Sequence, residues 1–170
     1  MLVLQTERLV LRHFLENDAE FIVKLLNEPS FIEYIGDKGV RTVEEANEYL
    51  LNGPIDSYER FGYGLNRVEL RETGEPIGMC GLVRRANLDD ADIGYAFLEQ
   101  YWSKGYARES AEAVLGHARN KLGLDRIVAI VTPDNRSSIK LLEEIGLTFE
   151  RMIRFSDDDE ELEFFVSDTK

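Results

Sequence analysis

The sequence predicts a mixed α/β protein, because two strand-to-helix units follow one another in its second half. An alternating strand around residues 93–97 leads through a polar turn at 99–104 into a helix that begins around Gly105. Apolar residues recur in that helix at the spacing of one helical face, namely Ala111, Val114, Leu115, Ala118 and Leu122. The β-branched run 126–131 is typical of a strand buried in a parallel sheet, so residues 93–131 are predicted to form a right-handed βαβ crossover.

The second unit begins where that buried strand ends. The turn 132–135 caps a short helix predicted over 136–145, and Gly146 stands where a C′ glycine would end it. Adjacent parallel strands end at the same edge of a sheet, where α/β proteins bind ligands. The free N–H groups at the start of the first helix suit an anion, and Gly105 is small enough for close approach. Taken alone, the first turn is equally explained as a tight connection without a ligand.

The N-terminal third is predicted to form one strand and two helices. Residues 8–13 alternate apolar and polar side chains, as a half-buried strand does. Asp18 is the predicted N-cap of a helix that runs to residue 26. Thr42 and Glu45 form a capping box, which predicts a second helix towards residue 58.

Four further strands are predicted as two pairs. Residues 61–70 and 77–83 flank the turn 72–76, which is a hairpin signal. Residues 147–155 and 162–166 form the final pair. Periodicity alone goes no further than a mixed α/β class.

The chain contains two specific pieces, IGYAFLEQYWSKGYARESA and VTPDNRSSIKLLEEIGLTFE. They resemble the GNAT superfamily of acetyl-CoA-dependent N-acetyltransferases, most closely its RimJ/RimL-like branch. The family's coenzyme loop reads Gln/Arg-x-x-Gly-x-Gly/Ala, and residues 102–107 match it with Trp in the first place, as in that branch. The second piece is similar to the family's Asn-x-x-Ala/Ser-x-x-Leu-x-x-x-x-Gly stretch, matched by Asn135, Ser138, Leu141 and Gly146.

This resemblance covers nearly the whole chain and implies the GNAT acyl-CoA N-acyltransferase fold. In that fold a central, mostly antiparallel sheet is splayed at two parallel strands and flanked by helices. The chain has 170 residues, of which 44% are hydrophobic, so it can bury one substantial core, and no linker-like stretch divides it. We therefore expect a single domain over residues 1–170, with its core at about 6–167.

The resemblance also implies which residues hold acetyl-CoA. The pantetheine arm would pair like an extra strand with backbone groups of Phe97 and Leu98, where an N–H would polarise the thioester oxygen. Asn135 would hydrogen-bond the pantetheine, and a helix-capping role is the alternative for it. The implied coenzyme loop consists of Trp102, Ser103, Lys104, Gly105, Tyr106 and Ala107. The basic candidates for the phosphates are Lys104, Arg108, Arg136 and Lys140, each of which would otherwise be solvated helix surface.

The catalytic candidates are Asp92 and Ser138. Many family members carry a general-acid Tyr at the position of Leu142, which cannot donate a proton. Ser138 matches the Ser of the branch and would place a water. Asp92 resembles the acidic residue that often serves as a water-mediated base, and its alternative is a strand-edge carboxylate that faces solvent. Tyr95 and Tyr106 are expected to pack rather than catalyse.

Charge and composition exclude several other classes. The net charge of −13 disfavours nucleic acid or an anionic membrane as partner. No apolar segment is long enough to span a bilayer, and the N-terminal sequence is unlike a secretory signal. The single Cys80 excludes an intramolecular disulfide, so a cytoplasmic location is expected. We predict no metal site, because His13 and His117 lack further nitrogen or sulfur ligands.

The predicted function is transfer of acetyl from acetyl-CoA directly to a primary amine, either a protein N-terminus or a small amine. The alternatives are a non-catalytic acyl-CoA-binding module and a generic nucleotide binder, which the absence of a phosphate loop disfavours. The predicted partner is the amine acceptor, and a homodimer is left open. The acidic run 157–161 would recruit a cationic acceptor, or else form a solvated hairpin tip.

Overall fold

The computed structural model describes residues 1–167, and this part of the chain contains eight strands and six α-helices. The strands are β1 (Leu2–Gln5), β2 (Leu9–His13), β3 (Leu65–Leu70), β4 (Pro76–Val83), β5 (Ala91–Phe97), β6 (Ile127–Val131), β7 (Leu147–Ile153) and β8 (Leu162–Ser167). The helices are α1 (Ala19–Leu26), α2 (Pro29–Tyr34), α3 (Val43–Leu50), α4 (Asp56–Phe61), α5 (Tyr106–Asn120) and α6 (Arg136–Glu144).

All eight strands lie in one sheet, in the order β1-β2-β3-β4-β5-β6-β8-β7. Every neighbouring pair is antiparallel except β5 and β6, which are parallel. Those two strands pair only at Ala91 with Ile127 and at Asp92 with Val128, so the sheet is splayed beyond Asp92. This architecture confirms the predicted GNAT fold and the β5–α5–β6 crossover.

The sheet separates two layers of core. On one face, α5 packs its apolar stripe against the sheet, and Ala111, Val114, Leu115 and Ala118 are buried there as predicted. On the other face, α1 and α3 cover a second cluster that includes Met79 and Ala96. Because successive strand residues point to opposite faces, Met79 of β4 lies in one layer and Cys80 in the other. The central strands are therefore covered on both sides.

Most predicted elements are confirmed, although several ends differ by a few residues and Leu122, predicted to belong to the helical stripe, lies beyond the end of α5 at Asn120. The capping box is present, since the Thr42 hydroxyl accepts from the Glu45 N–H. The helix that follows is not uniform, however, because a π-helical turn at Leu51–Ile55 separates α3 from α4. The prediction of a strand from residue 61 is wrong, because Phe61 ends α4 and β3 begins at Leu65.

Two further differences concern the N-terminal region. The strand β1 was not predicted, and it pairs antiparallel with β2 at the edge of the sheet. Asp18 precedes α1 but does not cap it with its side chain. Its carboxylate instead accepts from the Leu15 N–H and pairs with Arg12 and Arg67, at 2.9 and 2.7 Å. These two charge-assisted pairs satisfy the carboxylate away from the helix end.

Candidate active site

The splay between β5 and β6 opens into a cavity of about 930 Å³. Its walls come from β5, β6, the start of α5, the start of α6 and the α2–α3 region. Nine of the predicted site residues line it, namely Asp92, Phe97, Trp102, Ser103, Gly105, Tyr106, Ala107, Asn135 and Ser138. Leu98 and Lys104 are not among the lining residues. The two strand-to-helix turns therefore do face one shared space, as their position at one sheet edge predicts.

The turn before α5 presents free backbone donors to this cavity. Gly105 is the N-cap of α5 in the left-handed region, with φ +82°, where glycine has no Cβ penalty. The Glu109 N–H donates to the Gly105 carbonyl, so the N–H groups of the three preceding residues lack an acceptor within the helix. Those residues are Tyr106, Ala107 and Arg108, and all three line the cavity. Backbone donors and the positive end of the helix dipole together suit an anion.

Arg8 holds this turn in place from the other end of the chain. Its Nη1 donates to the Lys104 carbonyl at 2.9 Å, and its Nε donates to Glu109 at 2.7 Å. The guanidinium also lies over the Tyr106 ring, 4.4 Å from its centroid. Sequence reasoning placed Arg8 only in a strand, because nothing local connects it with a turn nearly 100 residues away. The turn is thus fixed by tertiary contacts before any ligand arrives.

The backbone at the end of β5 differs in part from the prediction. The Leu98 N–H donates to the Ile77 carbonyl, and the Leu98 carbonyl accepts from the Tyr101 N–H, at 3.0 and 2.9 Å. Both polar groups of Leu98 are therefore occupied, which corrects its predicted pairing with a ligand. Since peptide groups alternate in an antiparallel ladder, those of Tyr95 and Phe97 point away from β4 into the splay. The Trp102 indole donates to the Phe97 carbonyl at 2.9 Å, which leaves the Phe97 N–H directed at the gap.

Asp92 is buried at the head of the splay, with only 2% of its surface exposed. The alternative of a solvent-facing carboxylate is therefore wrong. Its Oδ2 accepts from Arg85 Nε at 2.7 Å, whereas Oδ1 has no hydrogen-bond partner within residues 1–167. Burial raises the pKa of Asp92 to about 6, although Arg85 opposes the rise. A carboxyl group with that pKa can exchange a proton near neutral pH.

Ser138 of α6 and Tyr95 of β5 form a hydroxyl pair across the splay. Tyr95 Oη and Ser138 Oγ are 2.6 Å apart, and both residues line the cavity. The Ser138 N–H donates to Asn135 Oδ1 at 3.3 Å, so Asn135 does cap α6. Burial raises the pKa of Tyr95, so its hydroxyl stays protonated. Tyr95 thus has a polar partner in the cavity, beyond the packing role expected of it, whereas Leu142 is a buried core residue.

The basic side chains near the α5 end divide into two groups. Arg108 and Lys140 line the cavity, but Lys104 and Arg136 do not. Glu144 lies within 3.5 Å of Arg108 and 3.8 Å of Lys140. These are exposed pairs of the kind that contribute little to stability, so an anionic ligand can compete with Glu144 for both cations.

A third wall of the cavity comes from residues that no sequence motif indicated. It is built by the α2–α3 region, by Arg85 after β4, and by the ends of the β7–β8 connection. The residues concerned are Tyr34, Ile35, Lys38, Tyr49, Arg85, Phe155 and Leu162. They are separated in sequence by more than 100 positions, so only the fold brings them together.

Other chemistries have little support in the described part of the chain. Cys80 is fully buried in the core, as predicted, and burial raises the pKa of its thiol to about 12. Residues 1–167 contain no group of three His, Cys, Asp or Glu side chains arranged as metal ligands. Over the same residues, no helix has the length and apolarity that crossing a bilayer demands.

Comparisons with known proteins agree with this geometry. Residues 8–148 match the family model described as an acetyltransferase (GNAT) domain. The uncharacterized N-acetyltransferase YoaA of Bacillus subtilis (strain 168) is 30% identical over 154 residues, which cover 89% of this chain and 86% of YoaA. The crystal structure of a GNAT-family acetyltransferase from Bacillus anthracis is 25% identical, with a TM-score of 0.80 over 98% of this chain and 97% of that one.

A further structural neighbour holds a ligand. RimL, a ribosomal L7/L12 α-N-protein acetyltransferase whose structure is in complex with coenzyme A, has a TM-score of 0.83 over the full length of both chains at 18% identity. At that identity the likeness shows the fold alone. The family match covers most of the chain, including both turns that face the cavity. The chain therefore belongs to the GNAT acetyltransferase family.

Proposed function

We propose that the protein is an acetyl-CoA-dependent N-acetyltransferase of the RimJ/RimL type. It transfers acetyl directly to a primary amine. The observation that carries this proposal is the shared cavity, which joins the free N–H groups of α5 to the buried carboxylate of Asp92 across the splay. A long anionic thioester and an amine need that combination, because each must be held in near-attack geometry.

The residues present fit acetyl-CoA. The first turn of α5 supplies backbone donors for the pyrophosphate, with Arg108 and Lys140 beside it. The free N–H of Phe97 lies where a pantetheine arm would add to the edge of β5. Because both polar groups of Leu98 already have backbone partners, the pantetheine arm would pair with the peptide groups of Tyr95 and Phe97 instead.

The chain also supplies groups for both proton movements. A bond forms between the amine nitrogen and the acetyl carbonyl carbon, and the carbon–sulfur bond breaks. The amine loses a proton, which the carboxylate of Asp92 accepts directly or through water bound at its free Oδ1. The departing thiolate gains a proton through the Ser138 hydroxyl, which water reprotonates while the Tyr95 hydroxyl, 2.6 Å away, holds it in place. Asp92 then returns the proton of the amine to solvent.

Direct transfer follows from the state of Cys80. An acyl-enzyme would need an accessible and activated nucleophile. Cys80 is fully buried and its thiol pKa is about 12, so it stays protonated at neutral pH. Cys80→Ala should therefore leave turnover intact, and mass spectrometry should detect no acetylated enzyme during the reaction.

The second candidate is a non-catalytic acyl-CoA-binding module, and Leu142 favours it, because it occupies the position of the family's general-acid Tyr. Free-thiol release from acetyl-CoA, assayed over a panel of primary amines, separates the two functions. Release of free thiol that depends on the amine would establish that the protein is an acetyltransferase. Thermal stabilisation by acetyl-CoA without release from any amine would establish the binding module, and equal stabilisation by ATP would contradict both.

A further inference from the structure

Two cationic side chains stand in the part of the cavity that faces α2 and α3, where the acetyl transfer itself requires none. Lys38 lies in the segment between α2 and α3, and Arg85 follows β4. The acid next to Lys38, Asp37, is already paired with Arg41 at 2.7 Å. Within residues 1–167, Lys38 has no ion-pair partner. Its charge therefore has no counter-charge within the described residues.

Lys38 is also close enough to Arg85 to be repelled by it. Burial lowers the pKa of Lys38, and the positive charge of Arg85 lowers it further. Two like charges held at one cavity wall are unfavourable, and an anion between them relieves the repulsion and favours the charged lysine. The arrangement is that of a site for a negative group.

Arg85 has donors to spare for such a group. A guanidinium carries five N–H donors, and Arg85 uses Nε for Asp92. Its side chain is 40% exposed, so the terminal nitrogens are open to the cavity. Guanidinium groups bind carboxylates through two parallel hydrogen bonds.

The acidic residues of the cavity wall offset Arg85 but not Lys38. They are Asp92, which Arg85 neutralises, and Glu144, which lies beside Arg108 and Lys140 at the α5 end. The wall around Lys38 therefore repels a polyamine. The net charge of −13 also repels, at long range, an acceptor that is negative overall and lacks the backbone donors that the start of α5 offers to a phosphate. An acceptor with one amino group and one carboxylate is neutral overall and meets neither barrier.

We propose that the acceptor is a primary amine that carries a carboxylate, bound through Lys38 and Arg85 with its amino group beside Asp92. This inference rests on the proposed N-acetyltransferase function and specifies its substrate class. Arg85 contacts Asp92 at 2.7 Å, so the anion site and the proton acceptor are neighbours, as the carboxylate and amino group of a small amino acid are. The acidic turn 157–161 does not line the cavity, although Phe155 and Leu162 on either side of it do.

The test compares acceptors that differ only in the negative group. Free α-amino acids are paired with their carboxamides, and peptides with Glu as second residue are paired with those that carry Gln there. The first arm tests a small-molecule acceptor and the second a peptide N-terminus. We expect the acidic member of at least one pair to have the higher kcat/KM, by at least about tenfold. Its amine is the more basic one, so deprotonation works against this preference.

Variants connect the preference to the proposed site. Lys38→Met removes the charge at similar length and should reduce the acid-to-neutral ratio of kcat/KM about tenfold, mainly through KM. Lys38→Arg should restore the ratio. Lys121→Met is the matched control, because Lys121 is an exposed lysine outside the cavity wall, and it should behave as the parent.

The outcomes separate the inference from the function on which it rests. Amine-dependent thiol release without a preference for acids, or with a preference that Lys38→Met leaves unchanged, overturns the anion site and leaves the acetyltransferase standing. Absence of release from every amine overturns the acetyltransferase. In that case, calorimetric binding of the same pairs to the protein with coenzyme A still tests the anion site. Equal heats for acid and carboxamide would then reject it.

Discussion

Tyr95 Oη and Ser138 Oγ lie 2.6 Å apart, one on β5 and the other on α6, so a hydrogen bond connects the two elements that border the splay. Asn135 fixes the other side of Ser138 by accepting its backbone N–H. The Ser138 hydroxyl is therefore positioned by two neighbours in a cavity that also contains Asp92. In the proposed mechanism this pair supplies the proton donor, since Leu142 occupies the usual position of the family's Tyr.

Ser138→Ala should lower kcat at least about tenfold, because the departing thiolate loses its donor. Tyr95→Phe should lower kcat less, since Ser138 keeps its own hydroxyl and can be resupplied by water. Free-thiol release at saturating acceptor measures both effects. Ser156→Ala, on an exposed turn residue, serves as the control. Equal kcat for Ser138→Ala and Ser156→Ala would remove Ser138 from the mechanism.

Asp92 should give the pH profile of kcat/KM an inflection near pH 6. The carboxylate accepts the proton of the amine only when it is ionised, so activity rises as the pH passes through its raised pKa of about 6. Asp92→Asn should lose this inflection and about 100-fold in rate, whereas Asp89→Asn, on an exposed residue, should keep both. An inflection that persists in Asp92→Asn would assign it to another group.

The same pKa predicts the pH dependence of stability. The folded-state pKa of Asp92, about 6, exceeds its ordinary value of 3.8, so the folded protein binds more protons than the unfolded chain between those values. Stability contributed by this group therefore falls as the pH rises from about 4 to about 6. Urea unfolding of the parent and of Asp92→Asn across this range measures the difference. The raised pKa would be contradicted if the free energy of unfolding of the parent, relative to that of Asp92→Asn, increased with pH over this range.

Gly105→Val should weaken acetyl-CoA binding at least about tenfold, which corresponds to ~1.4 kcal/mol. The new side chain would stand at the N-terminus of α5, and its Cβ would meet Arg8 Nη2 at 3.2 Å. Gly123→Val is the matched control, because Gly123 also has a positive φ, +67°, but has open space around it. Both variants carry the same backbone strain, so calorimetry should show weaker binding for Gly105→Val alone. Equal affinities would remove the turn from the coenzyme site.

Asp18→Ala should destabilise the fold by about 3 kcal/mol, because it leaves the partly buried Arg12 and Arg67 with Glu69 as their remaining counter-charge. Burial alone would raise the pKa of Asp18, but hydrogen bonds from Arg12 and the Leu15 N–H lower it overall. Its contribution is therefore present above its ordinary pKa of 3.8 and is lost as the pH falls through the lowered folded-state value. Chemical unfolding measures both effects. Asp37→Ala, which breaks an exposed pair with Arg41, should change stability little.

Local signals in the sequence determined most of the secondary structure and one half of the candidate site. The Thr42–Glu45 capping box and the apolar stripe of α5 act within four residues along the chain, so short-range hydrogen bonding and periodicity reveal them. The proposed coenzyme loop could be recognised for the same reason, because residues 102–107 form one continuous motif. The capping role of Asp18 was predicted wrongly, since Arg12 and Arg67 compete for its carboxylate.

The tertiary structure alone decided the other half of the site. Arg8 reaches the turn at Lys104 across 96 positions, Tyr95 meets Ser138 across 43, and Lys38 and Arg85 share one wall although 47 residues separate them. Charges and hydroxyls at such separations leave no periodic pattern, because their positions follow from how strands and helices pack. The sequence by itself thus determined the fold and the motif of the proposed coenzyme loop. The packing determined the burial of Asp92, the contact between Tyr95 and Ser138, and the charges at the proposed acceptor site.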